Sequence, residues 1–172
     1  MTIPAAPPRS PEYDELKAFL RFFSERFFDL RTIAPAARPL AVLELHERES
    51  PERAPGELRM AVNNCMEMSG AWPLAQVSQL DAELRSRNLP TLSQVRQRVW
   101  GRYAALLKRG QVRNEAEYQL VRGVLADTPL AAALPEPERR LLQTVRAAYE
   151  LERSRPVVAR RPPPRPPRRT RP

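Results

Sequence analysis

From Leu16 to Tyr149 the apolar side chains recur at intervals of three and four, and prolines stand between the runs. That spacing places apolar groups along one face of a helix. A strand needs strict alternation, which no segment sustains, and only five glycines are present to shape turns. The pattern therefore predicts an all-α fold, an irregular bundle of about six or seven helices.

The first helix is predicted to start at Ser10-Pro11-Glu12 and to run to about Leu30. Serine accepts from the free backbone N–H groups of a first turn, and proline suits the first helical position. Leu16, Phe19, Leu20, Phe23, Phe27 and Leu30 form its stripe, and this segment holds all five phenylalanines. Phe22 and Phe28 fall off the stripe, so the helix is apolar on more than one side. Such a helix lies at the centre of a bundle or against a partner. Phe22 and Phe28 are accordingly the candidate protein-binding side chains. Trp72, Met60, Met66 and Met68 join the phenylalanines as components of a possible apolar docking groove.

A short second helix fits Leu40–Glu49, and Ser50-Pro51 and Pro55-Gly56 break the chain after it. A third fits Glu57–Met68, and a fourth opens at Trp72-Pro73 and ends at Asn88 and Pro90. Thr91 starts a fifth, which Gly110 closes. Asn114 and Glu117 have the spacing of a capping box at the start of a sixth. Asp127-Thr128-Pro129 ends that one, and the last follows Pro135. Three divisions result: a disordered lead over 1–10, a helical domain over 11–152 and a disordered tail over 153–172.

The charge is unevenly placed. Formal net charge is +9, but residues 153–172 contain eight arginines and no acid. Setting these eight aside from the 29 basic residues leaves 21 against 20 acids, so the helical part is close to neutral. Arg160, Arg161, Arg165, Arg168, Arg169 and Arg171 are candidate contacts to phosphates, which would give salt-sensitive, sequence-blind binding. No aromatic residue is interleaved to stack on bases. Arg161, Pro164 and Pro167 also match the spacing read by grooves that bind polyproline helices. Only two of the basic residues are lysine and isoleucine is scarce, a bias that a GC-rich genome produces without selection for phosphate binding.

Between Leu84 and Asn114 eight basic residues occur with no acid, whereas 44–83 carries eight acids against three arginines. Arg96, Arg98 and Arg102 would belong to a basic face on the fifth helix, able to meet nucleic acid or an acidic partner. The competing expectation is that the acidic and basic halves pack together and neutralise each other. In a helix-turn-helix reading, Glu115–Ala126 would be the recognition helix, but Glu115 and Glu117 at its start would face phosphates.

Patterns for chemistry are lacking. His46 is the single histidine, in a Glu-rich run without an H-E-x-x-H motif, and Cys65 is the single cysteine, on an apolar stripe. One thiol and one histidine cannot assemble the usual zinc site. The glycines are isolated, so no phosphate-cradling loop forms. No catalytic residue, metal or cofactor is expected. The first residues lack a basic n-region followed by an apolar h-region, and no apolar run reaches membrane-span length, so a cytoplasmic protein is expected.

YAALLKRGQVRNEAEYQLVRGVLADT (Tyr103–Thr128) resembles a helix–RG–x–x–x–NE–x–EY–helix pattern of small uncharacterised bacterial helical proteins. The resemblance implies a helical hairpin and a bacterial origin, and it brings no catalytic residue. The function expected is a non-enzymatic protein-interaction module: an adaptor, inhibitor or immunity-like protein. The alternative is an accessory nucleic-acid-binding protein using the arginine tail and a basic face around residues 85–113.

Overall fold

A computed structural model describes residues 10–154. Residues 1–9 and 155–172, with Arg160, Arg161, Arg165, Arg168, Arg169 and Arg171, lie outside the described residues, whereas Arg153 and Ser154, expected in the tail, are the end of the last helix. The described chain is all-α. It comprises α1 (Pro11–Phe27), α2 (Pro39–Glu49), α3 (Ala54–Ser69), α4 (Leu74–Ser86), α5 (Leu92–Val99), α6 (Gly101–Arg109), α7 (Glu115–Ala126), α8 (Thr128–Ala133) and α9 (Glu136–Ser154). The described residues include no strand and no helix long and apolar enough to cross a membrane.

Several helix starts follow from their capping residues. Ser10 accepts from the Tyr13 N–H at 3.2 Å. Thr91 and Gln94 form a reciprocal capping box, with N···O distances of 2.9 and 3.1 Å. Asn114 Oδ1 accepts from the Glu117 N–H at 3.0 Å, but the Glu117 carboxylate does not complete the box. It accepts from Arg109 at 2.6 Å and from the Arg113 N–H at 2.8 Å. Gly110 closes α6 in the left-handed conformation, φ +68°, which costs a glycine little.

Four boundaries differ from expectation. Helix α1 stops at Phe27, because Asp29 holds a turn of its own: its side chain accepts from the Arg31 N–H and its carbonyl from the Thr32 hydroxyl. Pro55-Gly56 does not break the chain but lies in the first turn of α3, where a missing N–H removes no helical bond. The expected fifth helix is two, divided at Trp100, whose backbone is extended. Asp127-Thr128-Pro129 both ends α7 and starts α8, with the Asp127 side chain capping the Leu130 N–H at 3.2 Å.

Helix α1 was the expected centre of the bundle. Its interhelical packing is against α3 and α2, and the most connected helix is instead α7, which contacts α4, α5, α6, α8 and α9. The aromatic side chains of α1 gather at its C-terminal end. Phe23 stacks on Trp72 with ring centroids 5.9 Å apart, and Phe27 lies 4.9 Å from the same indole. Phe19, Leu20 and Phe23 are fully buried there, in a core continuous with Leu120, Val121 and Val124 of α7.

Candidate protein-docking face

The α2–α3 pair leaves an apolar flank uncovered. Helix α3 buries Leu58, Val62, Cys65 and Met66 inward. Met60, Asn64 and Met68 recur every four residues on its outer side, a stripe about 12 Å long. Met60 is 55% exposed, Met68 44% and Leu45 of α2 41%. Only one other large apolar side chain among the described residues is exposed, Leu151 near the end of α9. A groove of about 230 Å3 opens between the helices, lined by Phe28, Pro39, Val42, Met60, Ala61 and Asn64. Leu45 stands three residues from Val42 and so extends the same flank of α2.

Several carboxylates of this hairpin have no cation partner among the described residues. Glu44, Glu49, Glu52 and Glu57 form no ion pair among the described residues. Glu57 lines the groove. Glu49, seven residues beyond Val42, lies along that flank of α2, and Arg48, three residues beyond Leu45, lies beside it. Glu47 faces the other way and binds Lys17 at 2.8 Å.

The basic stretch over 85–113 does not assemble into a free face. Arg85 pairs with Asp127 at 3.0 Å, Arg87 with Glu83 at 3.3 Å and Arg98 with Glu15 at 2.9 Å. Arg102 pairs with Glu67 and Arg109 with Glu117, both at 2.6 Å. Of the eight, Lys108 and Arg113 alone are exposed with no ion pair among the described residues. Arg96 corrects the expectation most sharply, because it is fully buried. Its guanidinium lies 5.6 Å from the Trp100 ring centre and donates to the Ser69 carbonyl, one of the last carbonyls of α3. A cation at a helix C-terminus satisfies an otherwise orphaned acceptor. Burial draws the Arg96 pKa down to about 10, opposed by the charge of Asp81. The helix-turn-helix geometry is excluded as well, because Tyr118, Leu120, Val121 and Val124 of α7 are buried in the core and Glu117 in the pair with Arg109.

Trp100 joins the acidic and basic halves. Its indole N–H donates to Glu67 at 2.7 Å, and Arg102 lies 5.3 Å from its ring centre while binding the same carboxylate. The Arg102 and Trp100 donors hold the Glu67 carboxyl below the ordinary range. A Cβ at Gly70 would stand 3.1 Å from the indole, so the ring rests directly on the end of α3. The sequence reading missed this joint, whose only sequence signal is an acidic helix followed by an acid-free one.

Phe28 and Phe22 diverge. Phe28 is half-buried, with its ring 6.1 Å from Phe23 on one side and the groove on the other. Phe22 is half-buried on a different flank, with the Arg87 guanidinium 5.1 Å from its ring centre. Neither is a freely exposed ring, because each packs its inner edge against the core. Of the other groove components, Met66 is fully buried and Trp72 is engaged by the phenylalanines, whereas Met60 and Met68 are open. Leu45 went unnoticed because it lies off the stripe of a short helix.

Cys65 is buried, its thiol donates to the Ala61 carbonyl at 3.4 Å, and burial pushes its pKa up to about 12. A thiol held protonated is a poor nucleophile and a poor metal ligand. His46 is half-buried on α2, and no group of three or more His, Cys, Asp or Glu with metal-holding geometry occurs among the described residues. Compared with known proteins, the chain matches no family model, no curated protein and no solved structure.

Proposed function

We propose that this chain is a non-enzymatic interaction module of a bacterial cytoplasm, an adaptor, inhibitor or immunity-like protein that binds another protein through the α2–α3 face. One observation carries this reading. Three of the four exposed large apolar side chains among the described residues, Leu45, Met60 and Met68, lie on this helix pair, beside an open groove. Apolar exposure gathered at one place marks an interaction site, whereas single scattered residues do not. Methionine suits such a face because its flexible, polarisable chain adapts to a partner.

The test is affinity capture with the full chain and with a Met60→Glu/Met68→Glu variant of equal thermal stability. The proposal expects one or more proteins retained by the first and lost by the second. Identical retention by both would remove the α2–α3 face from the account.

A second reading rests on composition alone. Residues 155–172 carry seven arginines and no acid, so accessory nucleic-acid binding falls to that segment, with the 85–113 arginines largely engaged elsewhere. Its signature is duplex binding that weakens steeply with salt and disappears on truncation at Ser154.

A further inference from the structure

Resting on the proposed α2–α3 docking face, the geometry points to its occupant: we infer that the groove takes a short amphipathic helix of a partner protein, apolar on one face and basic at one end. The apolar part follows from the stripe. Met60, Asn64 and Met68 span about two turns of α3, and Phe28, Pro39 and Val42 line the groove opposite Met60 and Asn64. This elongated surface between two helices suits a helix presenting residues at i, i+3 or i+4 and i+7. Asn64, exposed midway along the stripe, offers a hydrogen-bonding group that would fix the register of a helix seated there.

The basic end follows from charge complementarity. Elsewhere in the bundle most acids are matched: Glu15, Glu67, Glu83, Glu115, Glu117, Asp127 and Glu136 all hold arginines. At the α2–α3 turn Glu49, Glu52 and Glu57 hold none among the described residues, and Glu57 lines the groove. Arg48 and Arg53 are the neighbouring cations, two against the three carboxylates Glu49, Glu52 and Glu57, so the turn stays net acidic. An arginine or lysine of an incoming helix would find acceptors there without displacing an existing pair, and opposite charge would accelerate its arrival.

The chain's own arginine-rich segment and a second copy are the rival occupants. The first has the charge but offers few apolar side chains, chiefly Val157 and Val158. The second would bring its own acidic turn to the interface.

The experiment is fluorescence anisotropy with labelled helical peptides of about 16 residues. One has a leucine face and terminal arginines, one has the same face with glutamates, and one has the basic composition scrambled. They are titrated into the full chain, its Met60→Glu and Glu57→Gln variants, and a chain ending at Ser154. The inference expects the basic amphipathic peptide to bind the full chain about fivefold more tightly than the acidic one. Met60→Glu should weaken it about tenfold or more, and Glu57→Gln should narrow the preference for the basic peptide. Equal binding of the basic and scrambled peptides overturns the inference. Binding that appears only after truncation at Ser154 also overturns it, naming residues 155–172 as the occupant. A concentration-dependent dimer that Met60→Glu dissolves overturns it in favour of a second copy. Failure of the peptides while affinity capture remains sensitive to Met60→Glu/Met68→Glu would refute the basic helix and leave the docking face standing. Failure of both would refute the face itself.

Discussion

The first three helices and the last six solve the same problem differently. Both halves bury apolar stripes in one continuous core. Beyond the core, most cations of α4–α9 pair with acids of the same helices or of α1 and α3, although Arg96 Nε and Nη1 and Gln119 Oε1 are buried without a partner. Arg96 caps α3 from a fully buried position, Arg109 and Glu117 form a largely buried pair, and Asp127 accepts from Arg85, Thr91 and the backbone of α8. The α2–α3 pair leaves methionines, a leucine and glutamates without an ion pair among the described residues at its surface. Paired buried groups are sensitive to substitution because removing one member strands the other. An unsatisfied face tolerates substitution in the free protein and is sensitive only when a partner is present.

The largest expected contrast lies at Arg96. Arg96→Ala removes the cap on α3, the cation on Trp100 and a large buried side chain. It should cost about 2–4 kcal/mol by denaturant unfolding. A loss smaller than that of an ordinary surface change would mean that the joint between the two halves is not structural. Glu117→Ala should follow at about 1–3 kcal/mol, because it strands both the Arg109 guanidinium and the Arg113 N–H.

Acid–base behaviour sharpens the comparison further. Asp81 is buried, accepts from Ser93 Oγ at 2.6 Å and from the Ser93 N–H at 3.2 Å, and has its pKa raised above the ordinary carboxylate value, chiefly by desolvation. The folded state therefore binds this proton more tightly than the unfolded chain does. The contribution of Asp81 to stability is fullest at pH below the ordinary carboxylate value and is lost as pH rises through the raised one. Chemical unfolding across that interval should show a smaller decline with pH in Asp81→Asn than in the natural protein. An unchanged slope would place the titration elsewhere. The smallest effects belong to the open face: Met60→Ser and Glu57→Ala should each stay within about 0.5 kcal/mol of the unsubstituted protein. A loss of several times that size would make the face part of the fold.

The regular parts of this architecture were legible because a helix writes its period into the chain. Seven segments were expected, and the two additional helices come from one division and one continuation. The division at Trp100 was hidden because the long run from Leu92 to Leu106 keeps helical spacing throughout. The extended residue is imposed from outside by Glu67 and Gly70, more than 25 residues away in sequence. At Asp127 the same residues that stop one helix cap the next, and local sequence does not tell the two roles apart. The proposed docking face was half legible. Met60 and Met68 were on the page as groove components, but their exposure depends on which flank α2 covers. Arg96 was misread because a charged residue on a helix usually faces water, and nothing local announces that Ser69 and Trp100 enclose it.

The central claim is that the outer flank of α3 is a binding surface and its inner flank is core. Methionine-methyl NMR of the full-length protein, titrated with the basic amphipathic peptide, reads both flanks in one spectrum. The account predicts progressive shifts of the Met60 and Met68 methyl signals while Met66, on the same helix but fully buried, stays in place. Stationary Met60 and Met68 signals at peptide saturation would contradict it.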